Sequence, residues 1–415
     1  MFISVFIISN TMDNVKRTAY LDGISVFMGN RNAKVITGIR RCGKSTLMHC
    51  ISEAIHTSDE VNEIYIDMEQ WDNRELRDAE KLYRRIKNGL ASDKKNILFM
   101  DEIQDVAEWE SVVRSLISEN LCDIYITGSN SRMLSSEYAT YLSGRLNITE
   151  MFPLTFRECI EFNDAYGVPA ADDDLLQRFI KVGGFPAIWR EKYDERSAYS
   201  MLRDILLTIM TKDIIARHGV RDADLLDRIF RFICGNLGKY TSLNNIYNVL
   251  RSEDRNVSRD TVYAYAGHLE SSYLIHKANV YDIRGKRVLS AKYKYFLADI
   301  GLKHTALGYR ADDIPGHMEN ILYLDLRSRG YTVWVGDDRG KEIDLVGEKN
   351  GKKVYVQAAF RLSSEEAIER EFGNLKGIRD NHPKYVVTMD NAVFHGNVDG
   401  IISCGLAEFL KKDEL

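Results

Sequence analysis

The sequence predicts an α/β protein whose first part is a parallel sheet with crossover helices, and three observations predict it. Gly38-Ile39-Arg40-Arg41-Cys42-Gly43-Lys44-Ser45-Thr46 has the GxxxxGK[ST] spacing of a phosphate-binding loop. The apolar run Lys34-Val35-Ile36-Thr37 precedes it and a helical pattern from Ser45 to Ile51 follows, which is the strand–loop–helix setting the motif needs. Further apolar runs then alternate with helical stretches, the pattern of parallel strands joined by helices.

In such a loop, glycines let the backbone turn its N–H groups inward on a phosphate, and the helix N-terminus adds its dipole. Gly38 to Thr46 is therefore the expected nucleotide-binding segment, with Lys44 reaching the β- and γ-phosphates and Ser45 ligating Mg²⁺. Glu63–Met68 is the second strand. Asn96-Ile97-Leu98-Phe99-Met100-Asp101-Glu102 is the third, apolar enough to be buried on both faces, with its carboxyl end on the ligand crevice. Asp101 is expected to hold Mg²⁺ directly or through water. Glu102 is expected to accept a proton from the attacking water or to orient it.

A fourth strand, Asp123–Thr127, ends in Gly128-Ser129-Asn130-Ser131. Asn130 or Ser129 could position the water there, although such a turn also serves backbone geometry alone. Leu146–Phe152 is the fifth strand. Arg145, just before it, could stabilise charge on a phosphoryl group bound by a neighbouring subunit, or could cap a helix C-terminus.

The length of 415 residues implies two to three domains. A net charge of −5 gives no global attraction for nucleic acid and leaves room for a local patch. Cys42, Cys50, Cys122, Cys159, Cys234 and Cys404 form no CxxC pair, so neither a zinc site nor a disulfide framework is expected. The apolar run Phe2–Ser9 is too short to cross a bilayer and lacks a basic leader, and Met12 begins a more polar start. The expected location is cytoplasmic, with no membrane partner.

GIRRCGKSTL, ILFMDEIQDVAEWESVVRSL, ITGSNSRML, LSGRLNITEMFPLTFRE and GGFPAIW together resemble a family of AAA+-type ATPases from bacteria and archaea. In that family a P-loop ATPase module is fused to a C-terminal region of poorly defined function. The resemblance runs from about Tyr20 to about Leu362. It implies ATP and Mg²⁺ at Lys44, Ser45, Asp101 and Glu102. It also implies Arg145 as an arginine finger, which requires a homo-oligomer.

The module is expected over residues 13–155 and a helical lid over 156–222, where Phe156, Cys159 and Phe162, then Leu175, Leu176, Phe179 and Ile180, recur at helical spacing. Residues 223–310 read as a winged helix, with Ser258 capping its third helix. Its hairpin carries Arg284, Lys286, Arg287, Lys292 and Lys294 against Asp282, which suits DNA phosphates or an interdomain contact. Residues 311–415 resemble a restriction-endonuclease-like core, with Glu319 on a helix and Asp344 on a strand. Gln357 stands where a second acid belongs and Ala359 where a lysine belongs. An amide is a weak metal ligand and alanine has no ammonium, so the fold is expected without efficient cleavage. Glu319 and Asp344 are then vestigial or structural, and Lys341 or Lys353 could replace the lysine or be solvated. Three functions follow: an ATPase coupled to a C-terminal binding region, a nucleotide-gated switch with negligible turnover, or an ATP-regulated nuclease.

Overall fold

The computed structural model describes residues 15–55, 60–134, 142, 144–167, 169–252, 257–362, 365–389 and 396–415. The apolar N-terminal run and Met12 lie outside the described residues. The chain divides into two compact units, with the boundary after Met151.

The first unit is a five-stranded parallel sheet of the P-loop NTPase type. Its strands are β1 (Ala33–Thr37), β2 (Val61–Asp67), β3 (Lys95–Asp101), β4 (Asp123–Gly128) and β5 (Leu146–Glu150), in the order β2-β3-β4-β1-β5. Every pairing is parallel. β1 and β4 are buried along their whole length, and β3 from Ile97 onward, as strands covered on both faces must be. The helices Ala79–Gly89 and Trp109–Glu119 lay Leu82, Ile86, Val113 and Leu116 against Ile66, Leu98 and Ile126. Asp78 starts the first of these by accepting the Lys81 N–H at 3.0 Å. At the far end of the sheet from the phosphate loop, Lys34 is buried and paired with Asp123.

The second unit opens with helices Phe156–Tyr166, Asp172–Val182, Pro186–Arg190 and Glu195–Thr208, the last running on as a π-helical stretch Ile209–Ala216. Thr155 and Glu158 form a capping box on the first. The break at Gly183-Gly184 has a tertiary cause. Buried Asp299 accepts the Gly184 N–H at 2.6 Å, and a Cβ on Gly183 would fall 1.9 Å from its Oδ1. Three helices follow, Ala223–Gly235, Leu243–Ser252 and Arg259–Ser271, and Ser258 Oγ accepts the Thr261 N–H at 3.1 Å.

The hairpin after them, β6 (Ile275–Asp282) and β7 (Arg287–Leu297), is not a free wing. It belongs to an eight-stranded sheet with β8 (Thr332–Asp338), β9 (Lys341–Lys349), β10 (Lys352–Ala359), β11 (Lys384–Thr388), β12 (Gly396–Val398) and β13 (Ile401–Gly405), in the order β12-β13-β11-β10-β9-β8-β6-β7. β6 runs parallel to β8, from Val280 opposite Val335 to Asp282 opposite Asp337. The reason lies in its apolar content: Ile275, Ala278, Val280 and Tyr281 are all buried, and a free wing would leave much of that surface in water. Among the described residues no helix is long and apolar enough to cross a membrane.

Candidate functional site

β3, β4 and β1 lie side by side, and their carboxyl ends bring the expected nucleotide residues together. β1 runs into Gly38, whose φ is +149° and where a Cβ would lie 2.1 Å from the Met151 carbonyl oxygen. Only glycine passes that point. Arg41 and Gly43 also have positive φ, +69° and +106°. Such turns aim successive N–H groups into one anion-binding concavity. Ile39 and Cys42 are buried, and burial pushes the Cys42 thiol up, away from reactivity. Arg17 Nη1 braces the loop by donating to the Cys42 carbonyl at 3.2 Å, and Arg40 reaches Glu69 at 2.6 Å. Arg41 and Thr46 are exposed.

Lys44 opens the helix Lys44–Ile55 and is buried. Its Nζ donates to the carbonyls of Gly38 at 3.1 Å and Ile39 at 3.2 Å and lies 3.5 Å from Glu102 Oε1. Burial is the largest influence and opposes its charge, but Glu102, Cys42 and Asp101 together outweigh it and raise the Lys44 pKa. Asp101 is pushed up by burial, against hydrogen bonds from Thr127 and Ser45. Glu102 sits at φ +54°, and its N–H donates to Thr127 Oγ1 at 2.9 Å. Its Oε2 accepts from Gln104 Nε2 and, at 3.0 Å, from Ser129 Oγ. Burial alone would raise this carboxyl. Lys44 and the Gln104 hydrogen bond, with Arg40 and Ser129, hold it at about 2. Asn130 is buried at the end of β4, next to Ser129.

The residues fit ATP and Mg²⁺. Ser45 and Asp101 are hydrogen-bonded hard oxygen donors of the kind Mg²⁺ prefers, and the positive-φ loop beside Lys44 suits phosphates. Arg145 is not in this chain's own site. It is exposed, and its carbonyl accepts the Ala33 N–H at 3.0 Å, at the opposite end of β1 from Gly38. The five residues of β1 separate the two, roughly 16 Å at about 3.3 Å per residue. Two residues that contact Asp101 and Glu102 were not expected from the sequence. Thr127 bridges both acids, and Gln104 grips Glu102. Gln104 stands two places after Glu102, but only the turn Ile103–Asp105 folds it back.

The second unit holds its own lysine–carboxylate cluster, and it corrects the count of five hairpin cations. Lys294 is fully buried, with Nζ 2.7 Å from Glu319 Oε2 and 2.7 Å from Glu342 Oε1. Arg284 is bound to Asp338 at 2.6 Å and Arg287 faces Asp282 at 3.5 Å, while Lys286 and Lys292 are exposed. Asp344 Oδ2 accepts the Ala358 N–H at 2.8 Å, and Gln357 Oε1 accepts the Asp344 N–H at 3.4 Å. Burial, and then Asp344, push Glu319 up. Burial also pushes Asp344 up, against Lys294. One ammonium thus faces three acids, two of which, Glu319 and Asp344, are pushed towards their neutral forms. Lys341 is exposed, and Lys353 is engaged by the Tyr281 hydroxyl at 3.0 Å. Among the described residues no three His, Cys, Asp or Glu side chains are grouped to hold a metal ion.

A parallel sheet with a phosphate loop, an Asp-Glu pair at the end of the third strand and a polar fourth-strand terminus has the architecture of a P-loop NTPase. The family model for an AAA domain matches residues 30–160, and a model for a domain of unknown function matches residues 173–313. The chain belongs to the same family as an uncharacterized protein of Haemophilus influenzae, 34% identical over 377 residues that cover 90% of this chain and 93% of that one. An uncharacterized protein of Methanocaldococcus jannaschii is 31% identical over 353 residues, 81% of this chain and 76% of its own. Among solved structures, Cdc6p from Pyrobaculum aerophilum aligns with a TM-score of 0.34 and 11% identity, over 77% of this chain and 97% of that one.

Proposed function

We propose that the chain binds ATP with Mg²⁺ and hydrolyses it to ADP and phosphate. The observation that supports this is the convergence of Lys44, Ser45, Asp101 and Glu102 at one end of the sheet. Lys44 grips the phosphates. Ser45 and Asp101 would hold Mg²⁺, whose charge offsets that of the phosphates. Glu102 orients water and takes its proton as the water oxygen bonds to the γ-phosphorus and the bond to the bridging oxygen breaks. Asn130 positions the same water. Arg145 would act on the nucleotide of a second subunit, so turnover would rise with assembly. ATPase assays test this. Lys44→Ala should lose nucleotide binding, and Glu102→Gln should bind ATP but turn over about 100-fold more slowly or worse. Wild-type turnover in both overturns the reading.

One observation favours the alternative of a nucleotide-gated switch with negligible turnover. Glu102 faces Lys44 and is held strongly acidic, which weakens it as a base. Tight ATP binding with turnover far below ordinary enzyme rates would select this reading.

For the second unit we propose a partner-binding role coupled to nucleotide state, with residues 156–222 as lid and 223–310 as a winged-helix element. DNA is the partner to test first. Arg259, at the start of its helix and stacked 5.2 Å over Tyr247, and the exposed Lys286 and Lys292 are the cations that support it. We read residues 311–415 as an endonuclease-like domain; the lysine beside their acids is bonded to two of them, so cleavage is not part of the proposal. Duplex binding measured against salt, with and without ATP, tests the coupling. We place the protein in the cytoplasm.

A further inference from the structure

The two oxygens of Glu102 have different surroundings. Oε2 accepts both from Gln104 Nε2 and from Ser129 Oγ, at 3.0 Å from the latter. Gln104 Nε2 also donates to Ser129 Oγ at 3.3 Å, which closes a triangle. Oε1 faces Lys44 instead, at 3.5 Å, beyond a good hydrogen bond. Ser129 is buried and Gln104 half-buried. Gln104 Oε1 is buried with no hydrogen-bond partner among the described residues, so the amide is anchored through its nitrogen alone. A buried acceptor left unpaired costs free energy, on the order of 1–3 kcal/mol. A glutamine that bears that cost in order to hold one carboxylate oxygen is a poor choice for filling space. Gly128 leaves it room, since a Cβ there would lie 2.7 Å from Gln104 Oε1 and closer still to the Met133 sulfur.

We infer that Gln104, with Ser129, is a positioning device for hydrolysis: together they clamp Glu102 Oε2 so that Oε1 alone turns to the attacking water. The inference rests on the ATPase reading above. Once Lys44 is drawn to phosphate, its hold on Oε1 weakens, while Oε2 stays held by Gln104 and Ser129. The carboxylate then meets the water in one orientation. A freely rotating Glu102 would spend part of its time misdirected, and geometry of this kind is where catalytic groups gain most of their effect. The clamp acts through Glu102 and need not touch ATP, so its loss should appear in kcat and not in ATP affinity.

The test uses the full chain with Gln104→Leu, Ser129→Ala and Glu102→Gln, measuring kcat, KM, ATP affinity by calorimetry and the thermal unfolding midpoint. Gln104→Leu is expected to lower kcat about tenfold, short of the roughly 10²–10⁴-fold that a general base itself contributes, with ATP affinity within about twofold. The loss should lie in kcat alone, with KM, ATP affinity and the thermal unfolding midpoint unmoved. A glutamine that only fills space would lower the unfolding midpoint without that split between kcat and affinity. Ser129→Ala should act in the same direction and more weakly, and it reports independently should Gln104→Leu fold poorly. Turnover within twofold of wild type in Gln104→Leu and Ser129→Ala, with a dead Glu102→Gln, overturns the clamp and leaves the ATPase reading intact. A Glu102→Gln variant as fast as wild type overturns both.

Discussion

Each unit has a lysine facing carboxylates at its sheet, and the two arrangements differ in what the lysine is left free to do. Lys44 rests on two loop carbonyls and stands 3.5 Å from Glu102, a contact a phosphate can outbid. Lys294 is bonded at 2.7 Å to both Glu319 and Glu342, deep in the sheet. The acids differ in the same way. Glu102 is held ionised, whereas Glu319 and Asp344 are pushed towards their neutral forms. A charged cluster that keeps its charges and binds its lysine loosely is built to exchange partners. One that shares protons and binds its lysine tightly is built to stay as it is.

The largest effect expected from this contrast is on stability. Lys294→Met strips two acids of their partner, and breaking a buried pair from one side costs about 3–5 kcal/mol. Urea unfolding should show that loss with ATP affinity unchanged. Weakened ATP binding at full stability would reverse the assignment of roles. Next comes Lys44→Met, which adds a functional loss that Lys294→Met lacks. ATP affinity should fall about 100-fold, near 2.7 kcal/mol, together with some loss of stability from the buried Glu102 left without its partner. A smaller effect is expected from Thr127→Val, which removes the hydroxyl that donates to Asp101 and accepts the Glu102 N–H. Unsatisfied groups there should cost about 1–2 kcal/mol and lower turnover. If stability falls and turnover does not, Thr127 serves the sheet alone.

The first site was largely readable in the sequence because it is local. The phosphate loop is a contiguous segment, and Asp101 and Glu102 end an apolar strand that announces itself. Thr127 and Gln104 were missed for different reasons. Thr127 reaches the acids only because β4 lies beside β3, a pairing across the sheet. Gln104 depends on a short turn and on the left-handed backbone of Glu102. In the second unit the hydrophobic pattern showed a hairpin but not where it docks. The parallel pairing of β6 with β8 joins residues more than fifty positions apart, and it turns the place of Lys294 from a surface wing into a core. The alanine at 359 marked a missing ammonium, and nothing local pointed to β7 as the strand that supplies one beside Glu319.

The smallest effect at any one pH, and the most direct comparison of the two clusters, is the sign of their pH dependence. Glu102 titrates in the folded protein at about 2, below its ordinary value of 4.5. Its contribution to stability is present above that ordinary value and is lost as pH falls through about 2. Glu319 is raised above the same ordinary value by burial and by Asp344. Its folded form keeps a proton that the unfolded chain has released, so its contribution is complete below about 4.5 and declines as pH rises through the folded value. One proton retained gives a slope of at most about 1.4 kcal/mol per pH unit. Glu319→Gln removes that proton equilibrium while keeping a side chain of the same shape. Stability of the variant should therefore fall less steeply than wild type from about pH 5 upward, and Glu102→Gln should leave that slope unchanged and flatten the acid side instead. Equal slopes for wild type and Glu319→Gln above pH 5 would mean that Lys294 keeps Glu319 fully ionised, and the second cluster would then be an exchangeable ion pair like the first.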